Sequence, residues 1–297
     1  MRNERKIYAL GFFDGVHLGH QALLKACCDL AEKESCTPAA ITFGAHPKSL
    51  FSASAPALLT TCQDRQALMN AYGISHIHCF PIDKKVMSTS WEDFLELLLS
   101  EGAAGFVCGH DFRFGHRGQG DAALLADYCL ENNMPYGIVP EQKLGEVTVS
   151  STHIRTLLED GAVEEANRFL GHPHILSGEV VSGRKLGRTL GIPTANLSLP
   201  EEVVKLPFGV YACKAEVAGQ VYIAVTNIGN RPTVGGHRVT VEPWLLDFEG
   251  DLYGKTLTLH FYRFLRRETK FPTLEALKEE ILKNAAETRN FFENNAK

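Results

Sequence analysis

A short apolar run, Ile7-Tyr-Ala-Leu10, leads directly into Gly11-Phe-Phe-Asp-Gly-Val-His-Leu-Gly-His20, and Gln21-Ala-Leu-Leu-Lys-Ala follows. No other stretch constrains the fold as much. The order is a buried strand, a glycine-rich turn and the start of a helix, the opening of an α/β sheet. In such sheets the ligand crevice lies at the carboxyl ends of the strands. A helix N-terminus there offers free N–H groups and a positive dipole end to an anion. Gly19 lets a phosphate approach the backbone, and the imidazoles of His17 and His20 can donate hydrogen bonds to its oxygens. The stretch predicts a nucleoside triphosphate site.

The rest of the first half agrees with an α/β reading. Strand-like runs occur at Ile7–Gly11, Ala39–Phe43, His76–Phe80, Gly105–Cys108 and Tyr136–Val139. Helical patterns lie between them at Gln21–Lys33, Asp64–Tyr72, Trp91–Ser100 and Ala122–Asn132. Ser90 is an expected N-cap and Gly102 an expected stop. Alternation of this kind predicts a doubly wound, mostly parallel sheet. Two short helices, Ser151–Leu158 and Val163–Leu170, are expected next. After Gly171-His-Pro173 the chain turns β-rich, with runs at Ile175–Val181, Val210–Val217, Val221–Ile228, Val239–Asp247 and Thr256–Phe264. Ala218-Gly219-Gln220 reads as a hairpin link. A closing helix is expected at Leu274–Phe292, capped by Thr273. Several antiparallel strands with one terminal helix predict a small β-barrel. The expected domains are 1–173 and 174–297.

Composition narrows the function. The net charge of −5 argues against a general nucleic-acid binder, whose mark would be a basic face. No apolar stretch is long enough to span a bilayer, and the N-terminal apolar run is too short for a signal segment. A cytoplasmic protein is expected. The eight cysteines form no C-x-x-C pair, so reduced thiols are expected rather than a zinc site. Oligomeric state cannot be read from the sequence.

Three further stretches carry chemistry. Gly109-His-Asp-Phe-Arg-Phe-Gly115 follows a strand and belongs at the carboxyl edge. Asp111 could hold a loop or a metal there, and Phe112 and Phe114 could floor an aromatic ligand. Val149-Ser-Ser-Thr-His-Ile-Arg155 sets Ser151, Thr152 and Arg155 at a helix start. The hydroxyls can cap that helix or bind an anion, and the Arg155 fork fits phosphate oxygens. Gly183-Arg-Lys-Leu-Gly-Arg-Thr-Leu-Gly-Ile-Pro-Thr-Ala-Asn196 is not a Walker A loop. It pairs glycines with Lys185 and Arg188, which suits phosphates. Thr194 and Asn196, if extended, face one side with two neutral oxygens, a fit for Mg²⁺ shared with substrate phosphates.

Together these strings resemble the bacterial bifunctional riboflavin kinase/FAD synthetase family, in family order and over nearly the whole chain. The first decade resembles the HxGH signature of nucleotidylyltransferases. The resemblance implies that the first domain joins AMP from ATP to FMN, giving FAD and pyrophosphate. There His17, His20 and Arg155 would be catalytic, with Gly11, Phe13, Asp14, Gly15, Gly19, Asp111, Phe112, Ser151 and Thr152 binding ligand. It implies that the second domain phosphorylates riboflavin with ATP. Gly183, Lys185, Gly187, Arg188, Gly191 and Pro193 would bind nucleotide, Thr194 and Asn196 would hold Mg²⁺, and Glu242 would be the base. Two departures stand out. Gly44-Ala45 replace the family's Glu-Pro, and Pro243-Trp244 replace its Val-His, where a proline predicts a bend or an edge. These leave open an FAD synthetase with an impaired kinase domain, or an inactive flavin-binding regulator.

Overall fold

Parallel strands organise the first half, in a computed structural model that describes residues 4–46, 49, 55–183, 191–233 and 236–294, of 231–233 and 236–238 the backbone alone. The elements in order are β1 (Lys6–Leu10), α1 (Leu18–Lys33), β2 (Thr37–Phe43), α2 (Cys62–Ala71), β3 (His76–Phe80), α3 (Lys84–Ser88), α4 (Trp91–Ser100) and β4 (Ala103–Gly109). The short pair β5 (Arg113–Phe114) and β6 (Gly120–Asp121), α5 (Ala122–Glu131), β7 (Tyr136–Val139) and the pair β8 (Lys143–Leu144) and β9 (Val147–Thr148) complete it. The main sheet runs β3-β2-β1-β4-β7, and every neighbouring pair is parallel.

Alternation along β1 explains the layering. Ile7 and Ala9 face α1 and α2, packing with Leu23, Leu24, Cys27 and Met69. Tyr8 and Leu10 face the other way, packing with Phe94, Leu95 and Leu98 of α4 and Leu125 of α5. Side chains of successive strand residues point to opposite faces, so a strand covered on both sides is apolar throughout. The strand order reverses between β1 and β4. That is the switch point where doubly wound sheets open a ligand crevice.

The second half contains α6 (Ser151–Glu159), α7 (Val163–Leu170), β10 (His174–Val180), β11 (Leu197–Ser198), β12 (Gly209–Val217), β13 (Gln220–Thr233), β14 (Gly236–Leu245), β15 (Thr256–Arg267) and α8 (Leu274–Asn294). The strands close into a barrel in the order β10-β11-β14-β13-β12-β15. The expected hairpin joins β12 to β13: Val217 faces Gln220, and Ala218 and Gly219 take positive φ of 50° and 77°. Both central residues in that conformation make the two-residue turn whose twist matches the strands. Thr273 caps α8 by accepting from the Ala276 N–H at 3.1 Å.

By its contacts the chain divides at Ser151/Thr152, so α7 groups with the barrel. The reason is local. Asn167 of α7 donates to the Phe261 carbonyl of β15 at 2.8 Å and accepts from the His174 N–H at 2.8 Å. One amide thus ties α7 to two barrel strands.

Candidate active sites

The loop from β1 to α1 leaves the sheet at its switch point. Helix α1 begins at Leu18, earlier than the expected Gln21, because the His17 imidazole is itself the N-cap: Nδ1 accepts from the His20 N–H at 3.3 Å. In that bond Nδ1 accepts, so the proton of the neutral ring belongs on Nε2. His17 is buried, and its ring stacks on that of His20. Burial, the His17 neighbour and the Arg65 charge hold the His20 imidazole well below its ordinary range. The residue retains some solvent contact, but its Nδ1 is buried and without a hydrogen-bond partner among the described residues. Gly19 lies in the first helical turn, where the His17 ring leaves little room: a Cβ there would stand 3.3 Å from it.

The loop itself is held rather than free. Phe13, Gly15 and Val16 take positive φ of 59°, 81° and 41°. Such conformations cost energy for residues other than glycine and persist only where the surroundings enforce them. Here Asp14 does much of that work. Its buried Oδ1 accepts from the N–H groups of Leu59 and Thr60 at 2.9 and 3.2 Å. Thr60 returns the contact, its hydroxyl accepting from the Gly15 N–H at 3.1 Å. Arg65 is fully buried behind this loop. It donates to Thr42 Oγ1 at 3.0 Å and to the Phe43 carbonyl at 2.8 Å, and its guanidinium lies 4.3 Å over the Phe12 ring. Phe13 is wholly buried against His20, so it shapes the site from behind. Gly11 lies beneath the same ring. Thr60 and Arg65 escaped the sequence reading, since a cation on a helix normally reads as solvated.

At the end of β4, Phe112 and Phe114 stack at 5.7 Å between centroids. Both line a cavity of about 260 Å³ shared with Phe43, Val86, Met87 and Phe94. Asp111 is exposed and belongs to no group of three or more potential metal ligands among the described residues; its carboxylate lies close over Gly109. Of the helix-start residues, Ser151 donates from Oγ to the Asp14 carbonyl at 2.9 Å, which brings it to the β1–α1 loop. Thr152 and Arg155 follow on α6, exposed and half-buried respectively.

In the barrel unit, Thr194 and Asn196 lie on the more exposed side of an extended segment whose Ala195 and Leu197 are buried. The Asn196 amide covers Gly183 so closely that any Cβ there would collide with it. Thr194 and Glu242 line one cavity of about 240 Å³ with Asn227, Trp244, Arg266, Glu268 and Asn284. Glu242 faces Asn227 across the β13–β14 ladder. Gly191 is exposed with φ 75°, and Pro193 borders a smaller cavity with Thr194 and Pro243. Lys185, Gly187 and Arg188 lie outside the described residues. Arg266 and Asn284 were missed by sequence. Arg266 Nε donates to Asn284 Oδ1 at 3.0 Å, tying the end of β15 to α8.

Proline in β14 does not bend the strand as expected. The register with β13 runs unbroken through Thr226 and Pro243. The Pro243 carbonyl accepts from the Ala195 N–H at 2.9 Å, so the missing N–H faces Ala195 and takes nothing from the β13 ladder.

Comparison with known proteins bears on both units. Residues 1–153 match the family model described as FAD synthetase, and residues 170–292 the one described as riboflavin kinase. Relatives named bifunctional riboflavin kinase/FMN adenylyltransferase include one from Listeria monocytogenes, 34% identical over 97% of this chain and 92% of its own. One from Bacillus subtilis is 34% identical over 98% and 93%, and one from Escherichia coli K12 is 35% identical over 96% and 92%. A crystal structure described as a macrolide-efflux protein from Streptococcus pneumoniae is similar with a TM-score of 0.86 and 29% identity, covering 98% of this chain and 95% of that one. Among the described residues no helix is long and apolar enough to cross a membrane.

Proposed function

This chain belongs to the bifunctional riboflavin kinase/FMN adenylyltransferase family, and we propose that it carries out both reactions of that name on its two units. The observation that carries the reading is the pair of family matches, in chain order, one on a parallel sheet and one on a closed barrel. We take 1–173 and 174–297 as the working domains, a division that the start of the riboflavin kinase match at residue 170 supports.

In the first working domain, a phosphate oxygen of FMN attacks the α-phosphorus of ATP. The α–β bridging bond breaks, FAD forms and pyrophosphate leaves. Charge builds on the α-phosphoryl oxygens, and His17 and His20 donate to them. The neutral state of His20 suits a donor that stabilises charge without giving up its proton. Ser151, Thr152 and Arg155 hold the ATP phosphates, Arg155 through its fork. The Gly11, Gly15 and Gly19 backbone keeps the phosphate path open, Asp14 and Phe13 hold the loop, and Phe112 with Asp111 borders the flavin.

In the second unit, the riboflavin 5′-hydroxyl attacks the γ-phosphorus. The β–γ bridging bond breaks, giving FMN and ADP, and Glu242 takes the hydroxyl proton. Gly183, Lys185, Gly187, Arg188, Gly191 and Pro193 cradle the nucleotide. The donor set of Thr194 and Asn196, two neutral oxygens on one half-exposed face, fits Mg²⁺ completed by substrate phosphates. When bound, Mg²⁺ supplies Lewis-acid stabilisation of phosphoryl charge. Eight free cysteines and the use of ATP in both steps support a cytoplasmic setting.

The test is direct. Purified protein is incubated with riboflavin and Mg·ATP, and the flavins are separated by chromatography. FAD is the expected product. FAD from supplied FMN alone would mean an impaired kinase, although Pro243, its motive, leaves the ladder beside Glu242 intact. No turnover would leave a flavin-binding regulator.

A further inference from the structure

Two thiols meet behind the first site. Cys62 opens α2, Cys79 lies near the end of β3, and their sulfurs are 2.9 Å apart. Both residues are half-buried and both are free. Gln66 Nε2 donates to Cys62 Sγ at 3.2 Å. Gly44, with no side chain, borders Cys79: a Cβ there would stand 4.0 Å from that sulfur. A disulfide needs about 2.05 Å between sulfurs, so closure asks for a movement of only about 1 Å. The two cysteines that are adjacent in sequence, Cys27 and Cys28, diverge, Cys27 donating to the Ile7 carbonyl and Cys28 to the Tyr72 carbonyl.

What gives the pair consequence is its neighbour. Two residues before Cys62 stands Thr60, which bonds both Asp14 and Gly15 of the His17/His20 loop. Three residues after it stands Arg65, which spans Thr42, the Phe43 carbonyl and the Phe12 ring. A shift at the start of α2 therefore pulls on both braces of the loop.

We infer that Cys62 and Cys79 form a redox-sensitive dithiol that closes reversibly to a disulfide and, in closing, disturbs the first site. The oxidant is a low-molecular-weight disulfide such as oxidised glutathione. One cysteine thiolate attacks it, forming a mixed disulfide and releasing one small thiolate. The second cysteine thiolate attacks the protein-bound sulfur, forming the Cys62–Cys79 bond and releasing the other. Two protein thiols lose two electrons, and one small disulfide becomes two thiols after protonation. Burial, then the Cys62 neighbour, push the Cys79 thiol up to about 11, so the exchange quickens as pH rises.

The effect on FAD formation rests on the function proposed above; the disulfide itself does not. The experiment treats the full chain with oxidised glutathione and maps its peptides without reduction. A peptide joining Cys62 to Cys79 is expected, lost on adding dithiothreitol. FAD formation from FMN should fall by about 10²-fold, the scale of a 1 Å misplacement, and recover on reduction. FMN formation should be unchanged. Hydrogen exchange over residues 11–21 should change on oxidation, a readout that needs no turnover. Cys62→Ser and Cys79→Ser should each keep the reduced activity and lose the response to oxidant. The idea is overturned if both thiols remain free while other cysteines react, or if the disulfide forms and leaves both FAD formation and the exchange of residues 11–21 unaltered. Absence of FAD from the reduced protein would count against the function alone.

Discussion

The rings of His17 and His20 stack face to face, with 3.6 Å between centroids and 12° between planes. Two imidazolium ions so close would repel strongly, so the pair does not carry two charges, and burial with the neighbouring His17 and Arg65 holds His20 neutral. On the proposed mechanism, loss of either ring removes one donor to the developing charge. His17→Ala or His20→Ala should lower FAD formation by about 10²–10³-fold. FMN formation should stay near normal. Steady-state rates of both reactions on a folded variant check this, and equal loss of both would sink the assignment of two separate sites.

A buried histidine makes the barrel sensitive to acid. His174 is fully enclosed, its Nε2 has no hydrogen-bond partner among the described residues, and burial followed by His172 pushes its pKa down to about 3. Unfolded histidine takes a proton near pH 6.5, while the folded form refuses it until about pH 3. The unfolded state therefore binds more protons in that window. Barrel stability is complete above pH 6.5 and declines as pH falls, by about 2 kcal/mol at pH 5. Urea unfolding of a Trp91→Phe variant, where Trp244 alone reports on the barrel, should show the midpoint falling between pH 7 and pH 5. Adding His174→Phe should flatten that slope. An unchanged slope would refute the role of His174.

How the chain is cut should matter in a predictable way. A fragment from 174 to 297 carries all the barrel strands but loses Asn167. The Phe261 carbonyl then loses its partner, and the His174 nitrogen becomes the free amino terminus with no Asn167 to bond. Losing such hydrogen bonds costs about 0.5–1.5 kcal/mol each. A fragment from 152 to 297 should unfold at distinctly higher urea concentration than one from 174 to 297. Circular dichroism of both gives the comparison, and equal midpoints would show that α7 contributes nothing.

Much of this architecture is legible in the sequence because its strands are covered on both faces or alternate cleanly. The runs at Ile7, Ala39, His76 and Tyr136 all become strands of one parallel sheet. The barrel strands also follow the sequence pattern, although β13 and β15 run longer than expected, to Thr233 and Arg267. The misses have local causes. Helix α1 starts early because an imidazole caps it, outside the usual Ser, Thr, Asp and Asn signal. Arg65 reads as a surface cation, yet the Thr42 hydroxyl, the Phe43 carbonyl and the Phe12 ring let it be buried. Pro243 predicts a bend or an edge, and its harmlessness depends on which side its absent N–H faces. Such facts depend on tertiary partners, which no local pattern encodes.

The firmest trial of the kinase site is Glu242. It shares a cavity with Thr194, Asn227 and Arg266, and it pairs with Asn227 across the ladder. Glu242→Gln keeps the shape and the strand but removes the basic carboxylate. FMN formation should fall by roughly 10²–10⁴-fold, the range for losing a general base. Riboflavin and ATP binding should change little, since glutamine still accepts a hydrogen bond from the 5′-hydroxyl. FAD formation from supplied FMN should be untouched, because that reaction belongs to the other unit. The opposing argument is physical. Phosphoryl transfer passes through a loose transition state, in which the attacking hydroxyl needs little activation before the phosphoryl group has separated. In that case the carboxylate mainly orients the hydroxyl, and the loss would be small. The kinetics of the variant with riboflavin decide between the two. A drop in kcat of less than about tenfold would remove the base role and leave Glu242 as an orienting residue.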